Sequence, residues 1–224
     1  TLAVIARKRC DLILYVSGLA GCDDIKWGRH CAEMLDLPYE LIVYKKRDVI
    51  ASLENVVNTH GMDNPRWMST FVAFDLVLRE IKEKLVLCGQ GADELFAGYK
   101  KYKLMEPHEA ESRMRQDFKE LNELECPRYQ DMASHYDSVL VAPFLDETVR
   151  QFSGELPFRY KLEGENKRVL RLAAALLGVP ESMTEKPKKA MQYGSGVSKV
   201  LKSHIRSSGG GLAAIMESIQ KGYE

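Results

Sequence analysis

Short apolar runs alternate with amphipathic stretches along the first hundred residues. Leu12-Ile13-Leu14-Tyr15-Val16 carries no charge and ends in Ser17-Gly18, the pattern of a strand buried on both faces. Beyond the Gly18 to Gly21 turn, Asp23 or Asp24 can cap a helix from Ile25 to about Leu35. Its apolar positions Ile25, Cys31, Met34 and Leu35 fall roughly on one side. Leu41-Ile42-Val43-Tyr44 reads as a second strand and Val49 to about Val57 as a second helix. A loop with Gly61, Asn64 and Pro65 leads into a long helix from Trp67 to about Lys82, and Leu85-Val86-Leu87-Cys88 makes a third strand. Ahead of these, Thr1 to Lys8 reads as a helix entered midway, without a start signal of its own.

Strands and helices in this order predict parallel strands joined by right-handed crossovers, hence a doubly wound α/β sheet. From about Lys103 the pattern turns helical. Glu106 to about Glu125 is a charge-rich helix whose Glu109, Glu111, Arg113, Arg115, Asp117 and Lys119 suit a solvated face with i,i+4 pairs. Val169, Leu170, Leu172, Ala173, Leu176 and Leu177 form an apolar stripe assigned to the core. Ser207-Ser208-Gly209-Gly210-Gly211 is a flexible link before a last short helix. The expectation is a single domain over residues 1–224, with an α/β core over 1–103 and a mainly helical part over 104–224.

The third strand runs into Cys88-Gly89-Gln90-Gly91-Ala92-Asp93-Glu94-Leu95-Phe96-Ala97-Gly98-Tyr99. In an open parallel sheet, ligands settle beyond the carboxyl ends of the strands. Gly89 and Gly91 can take positive φ and let backbone amides approach an anion, and a helix starting near Ala92 points its positive end the same way. Asp93 and Glu94 would repel a phosphate directly. With Mg²⁺ between carboxylate and phosphate oxygens the arrangement makes sense. A tight strand-to-helix turn with capping acids explains the glycines alone, but it does not require Leu95-Phe96 followed by Gly98-Tyr99.

Composition narrows the classes. Thirty-two basic residues balance thirty-two acidic ones, so no overall charge draws the chain to nucleic acid or to an anionic membrane. No apolar run approaches the roughly 20 residues of a membrane span, and no signal peptide is visible. Five cysteines without CxxC spacing argue against a disulfide scaffold or a structural zinc and suit a reducing cytoplasm. The five histidines show no zinc-binding spacing, and no local motif suggests a nucleophilic triad.

The twelve-residue string resembles the S-G-E-G-A-D-E-L-F-G-G-Y signature of the asparagine synthetase family. Three further segments agree in order and approximate spacing. Tyr15 to Asp24 is similar to that family's F-x-V-G-L-x-G-S-x-D, Ala142-Pro143-Phe144-Leu145-Asp146 to R-V-P-F-L-D, and Lys186 to Met191 to R-x-K-x-x-F. Together they span about residues 10 to 195. The first string is highly specific, P-F-L-D moderately so, and the lysine motif weak by itself.

The resemblance implies an N-type ATP pyrophosphatase fold of the adenine nucleotide alpha hydrolase kind. The reaction it implies is adenylation of the aspartate side-chain carboxylate by ATP with release of pyrophosphate, after which ammonia displaces AMP. Carried over by position, Ser17 would lie against the adenosine, with Gly18 and Asp24 in the same segment. Cys88, Gly89 and Gly91 would sit beside the nucleotide, and Asp93 would hold Mg²⁺ and the pyrophosphate. Glu125 aligns with an acidic position near the metal. Lys188 would steady the negative charge that builds at phosphorus and at the tetrahedral carbon, where a fixed cation is worth several kcal/mol. Pro187, Gly194 and Gly196 suit a segment that closes over a ligand.

Four departures from the family pattern stand out. The S-G-G-x-D-S pyrophosphate loop is absent; in the family it precedes a helix like Thr1 to Lys8, so the natural chain is expected to continue upstream with that loop. Gln90 replaces a glutamate, and a neutral amide cannot take a proton from ammonium. Cys88 replaces a serine. Val141 and Ala142 stand where an arginine precedes the family's P-F-L-D. The family's glutaminase domain is also outside this sequence, so ammonia would come free from solution, or from a glutaminase domain or subunit. The alternatives are a related ligase, β-lactam-forming or tRNA-modifying, and a catalytically impaired nucleotide-binding relative. A homodimer is left open by the sequence.

Overall fold

The computed structural model describes residues 1–185 and 191–221. In chain order it begins α1 (Leu2–Ala6), β1 (Leu14–Leu19), α2 (Asp23–Met34), β2 (Tyr39–Tyr44), α3 (Lys46–Asn58), α4 (Met68–Leu78), β3 (Leu85–Leu87) and α5 (Ala92–Leu95). A 3₁₀ turn, Lys100–Leu104, leads to α6 (Pro107–Glu120), a π-helical stretch Leu121–Glu125 and α7 (Cys126–His135). Then come β4 (Val139–Val141), a 3₁₀ turn Pro143–Leu145, α8 (Glu147–Glu155), α9 (Phe158–Lys161), β5 (Leu162–Glu163) and β6 (Glu165–Asn166). The chain continues with α10 (Arg168–Leu176), α11 (Glu181–Thr184), α12 (Met191–Gly194), α13 (Val197–Ser207) and α14 (Leu212–Lys221). The protein is α/β, mostly helical, with parallel strands.

The chain forms two compact units. One comprises Thr1–Leu12, Glu83–Gln130 and Asp137–Lys188; the other comprises Ile13–Lys82, Asp131–Tyr136 and Lys189–Glu224.

In the second unit β1 and β2 pair in parallel, Ser17 opposite Ile42 and Leu19 opposite Tyr44, so both carboxyl ends finish together. The helix after β1 starts earlier than the apolar pattern suggests. Cys22 occupies its N-cap position without a side-chain bond, and Asp23 and Asp24 lie in the first turn, where a helix favours negative charge. The core is α3 on α4, backed by α13 and α14. Val49, Leu53, Val56 and Val57 on α3 and Phe71, Val72 and Leu76 on α4 are all nearly fully buried. Each such aliphatic side chain contributes about 1.5–3 kcal/mol.

Asp75 lies inside that apolar contact, fully buried. It survives there because its oxygens are well supplied with donors: Ser52 donates at 2.5 Å, Tyr136 at 2.6 Å, Arg79 at 2.7 Å and Asn55 at 2.8 Å. The His60 ring stands 3.7 Å away, beyond hydrogen-bond length but close enough to favour the anion. Burial alone would raise the carboxyl's pKa; His60, Ser52, Tyr136 and the charge of Arg79 outweigh it and hold the group well below the usual carboxylate range.

In the first unit β3 and β4 pair in parallel, Leu85 opposite Val139 and Leu87 opposite Val141. The sequence pattern predicts a mainly helical part beyond Lys103 and does not single out β4. Three residues are too few to show a strand period, and only pairing with β3 defines them. The long helix also ends earlier than its charge pattern suggests. Pro127 has no N–H for the Glu123 carbonyl and its ring crowds that oxygen, and the turn before it widens into the π stretch.

Asp117 is not on a solvated face. It is buried, accepts the Tyr102 hydroxyl at 2.6 Å and pairs with Arg113 at 2.9 Å and with Lys101. The stripe on α10 is not a core face either. Leu172 and Leu176 are 52% and 90% exposed, because the apolar positions span a wide arc and only the edge near Ala174 packs.

Candidate functional site

Cys88 leaves β3 with its amide bonded to the Val141 carbonyl at 2.9 Å, which sets the two strand ends side by side. The chain then turns at Gly91, whose φ of +92° lies in the left-handed region. A side chain there would also run into Leu145 and Phe144. The glycine-rich string and the Pro143-Phe144-Leu145-Asp146 motif therefore meet at one point, and Phe144 also packs edge-on to Phe96, ring centroids 6.0 Å apart. Asp146 acts locally, capping α8 by accepting the Thr148 amide at 2.8 Å. Gly89 is exposed, with open space where a side chain would be.

Asp93 follows on α5. Lys167 sets its ammonium 3.0 Å from the Asp93 carboxylate, and a Cβ on Gly98 would collide with both side chains. Lys167 adopts φ +57° and bonds the Phe96 carbonyl through its amide at 3.1 Å; Asn166 bonds the carbonyls of Ala97 and Tyr99. Ala97, where the family signature has glycine, takes φ +53° and is held in that left-handed conformation. Glu94, beside Asp93, is buried and accepts the Tyr99 hydroxyl at 2.5 Å.

The π stretch delivers Glu125 to the same unit's second cluster. Tyr129 is almost fully buried, with the Gln90 side chain, Glu125, Cys126 and Cys88 near enough to act on it electrostatically. Burial first, and then the charge of Glu125, pushes the Tyr129 pKa well up. Burial also raises the Cys88 thiol, partly offset by the Gln90 backbone, and the Cys126 thiol is pushed up to about 12. Cys88, Gln90 and Glu125 thus converge around Tyr129, in surroundings that keep both thiols neutral.

Ser17, Gly18 and Asp24 gather in the second unit. The Leu19 amide bonds the Ser195 carbonyl at 2.9 Å, bringing the Gly194-Ser195-Gly196 segment to the carboxyl end of β1. Asp24 lies against Gly194, where a Cβ would strike its carboxylate. Tyr44, at the end of β2, is buried and its pKa rises to about 12, through burial first and then through Cys22 and Asp24. The hydroxyls of Ser195 and Ser17 partly offset this without reaching hydrogen-bond geometry.

Lys188, with the rest of residues 186–190, lies outside the described residues. Sequence reasoning missed Lys167, Tyr129, Cys126, Tyr44 and Ser195. Tyr129 could have been found, one helical turn after Glu125; Lys167 carries no local signal.

Two pairs of parallel strands, each followed by a glycine-containing turn, define an α/β protein. The chain belongs to the asparagine synthase family: the profile described as Asparagine synthase matches residues 1–132 and 103–210. It is 25% identical to a putative glutamine-hydrolyzing asparagine synthetase of Methanocaldococcus jannaschii over 247 residues, 89% of this chain and 44% of that protein. It is 35% identical to the human asparagine synthetase domain-containing protein 1 over 136 residues, 56% of this chain and 21% of that protein. A glutamine-hydrolyzing asparagine synthetase of Arabidopsis thaliana is 28% identical over 134 residues, 58% of this chain and 23% of that protein. The chain thus spans less than half the length of these relatives.

Proposed function

We propose that the chain is the synthetase module of an ATP-dependent amide ligase, with aspartate as acyl substrate and ammonia as nitrogen donor. The observation that carries this is the turn at Gly91, pinned by Phe144 and Leu145, with Asp93 near the start of a helix beside an open Gly89. Both units would belong to one synthetase domain built on a doubly wound sheet.

The residues present fit a magnesium nucleotide. Asp93 offers a carboxylate, the backbone is unobstructed at Gly89, and Lys167 adds a cation to the same place. Asp93 would hold Mg²⁺, which supplies charge neutralisation to the pyrophosphate. Ser17, Gly18 and Asp24 would contact the nucleoside, with Cys88, Gly89 and Gly91 along the phosphates and Glu125 near the metal. Lys188 would meet the charge that develops on the reacting carboxylate. Adenylation of the aspartate side chain would release pyrophosphate, and ammonia would displace AMP to give asparagine. Ammonia would be free or delivered by a glutaminase domain or subunit, in the cytoplasm.

A second reading, a nucleotide-binding relative with impaired turnover, is favoured by one placement. Gln90 lies near the Tyr129 phenol, and neither group is a base at neutral pH. Pyrophosphate release with ATP, Mg²⁺, aspartate and ammonia separates the two. Aspartate-dependent release with asparagine formed supports the ligase; ATP binding without turnover for any amino acid supports the second reading.

A further inference from the structure

The turn that presents Lys167 to Asp93 lies just ahead of α10, with Lys167 itself at the N-cap position in the left-handed region. Arg171 sits one turn into that helix. Its amide closes the first turn on the Lys167 carbonyl at 3.0 Å, and its Nε–H donates to the Asn166 carbonyl at 2.8 Å. Its Nη1 donates to the carbonyl of Thr184, the last residue of α11, where a helix end leaves carbonyls without intrahelical donors. The Glu165 carboxylate stands 3.5 Å from the same Nε.

Two carbonyls from separate segments thus fix one planar group. A guanidinium presents its N–H donors in set directions, so holding it at Thr184 also holds the Asn166 carbonyl in place; an ammonium on a flexible stem keeps the charge without that geometry. The same turn is gripped by the backbone after α5. Asn166 donates its side-chain amide to the carbonyls of Ala97 at 2.8 Å and Tyr99 at 3.2 Å, and the Lys167 amide donates to that of Phe96 at 3.1 Å. The chain of contacts Asp93, Lys167, Asn166, Arg171 and Thr184 lies wholly within the first unit.

We propose that Arg171 is a positioning residue for the Asp93 site: by fixing the Asn166 carbonyl to the end of α11, it keeps the Lys167 ammonium on the Asp93 carboxylate. Arg171 touches no ligand and acts through Lys167. The inference rests on the reading of Asp93 as the carboxylate that holds the magnesium nucleotide.

Titration of the full chain with Mn²⁺ in the presence of ATP, followed by the EPR signal of free Mn²⁺, tests it without requiring turnover. Arg171→Lys should weaken Mn²⁺–ATP binding about tenfold, the lower end of the cost of losing support behind a metal-holding group. Lys167→Met should weaken it at least as much. The double variant should bind no more weakly than Lys167→Met alone, because residues acting through one another are not additive. Glu165→Gln, which leaves both carbonyl bonds of Arg171 in place, should bind like the parent. Should Arg171→Lys not fold, Arg171→Gln, which can still donate to one carbonyl, takes its place in the same comparison. A parent that binds Mn²⁺–ATP while Arg171→Lys binds equally well, or losses that multiply in the double variant, would overturn the role of Arg171 alone. A parent that binds no Mn²⁺–ATP would overturn the reading of Asp93 and this inference with it.

Discussion

Lys167 reaches the Asp93 carboxylate at 3.0 Å from a backbone in the left-handed region, φ +57°. An ordinary side chain rarely takes that conformation, so the contact depends on the bonds at Phe96, Ala97 and Tyr99 that hold residues 166 and 167 in place. The expected consequence is that Lys167 aims Asp93. Lys167→Met should lower aspartate-dependent pyrophosphate release by about 10–100-fold, the usual cost of losing a partner that orients a metal-holding group. Lys167→Gly relaxes the backbone and should match Lys167→Met in activity while melting no lower. Equal activity of the parent and both variants, in a steady-state assay over a range of Mg²⁺, would show that the pair is structural only.

Gly98 fits against the same pair. Gly98→Ala puts a methyl group where the Asp93 carboxylate and the Lys167 stem now lie. Displacing them by about 1 Å should cost about 10²-fold in turnover, with a stability loss of about 1–3 kcal/mol from overpacking. Chemical denaturation alongside the kinetic assay separates the two effects.

Gln90 stands where the family has a glutamate, beside the Tyr129 phenol. Gln90→Glu should raise ammonia-dependent turnover by about tenfold or more and add an acid limb to its pH profile, because a carboxylate can take the proton that an amide cannot. An unchanged rate and profile would remove this position from proton transfer.

The thiols should differ in reactivity. Cys10 is exposed, whereas burial raises Cys88 and carries Cys126 up to about 12. The thiolate is the reactive form, so iodoacetamide at about pH 8 should label Cys10 first, with Cys126 among the slowest, as read by peptide mass spectrometry. Early labelling of Cys126 would contradict the burial that raises its thiol.

Asp75 makes stability depend on pH. Its folded pKa lies below the unfolded carboxylate value of about 3.9, so its contribution is present above that value and is lost as pH falls through the folded value. Thermal midpoints should be level above about pH 5 and fall below it. Asp75→Asn should cost about 3 kcal/mol at neutral pH, through the hydrogen bonds and the uncompensated Arg79, and should flatten that acid dependence. A variant melting like the parent would mean the network contributes nothing net.

Local patterns alone determined much of this protein. Uncharged runs predict β1, β2 and β3, although only β1 has a mostly covered surface in this chain and Leu41, Val43 and Leu85 are exposed. The string from Cys88 to Tyr99 also identifies the family by itself, because a left-handed turn, an adjoining carboxylate and a fixed Phe96 packing leave few residue choices at each position. Tertiary structure decided the rest. β4 exists only through pairing with β3. Asp117 and Asp75 are buried by partners that include residues distant in sequence, and the outer leucines of α10 are exposed because packing covers only one edge of its arc. Lys167 reaches Asp93 across 74 positions of chain (167 less 93). Its neighbours Gly164-Glu165-Asn166 read as an ordinary polar loop, since a charge's partner is set by distance in space, which local sequence does not encode.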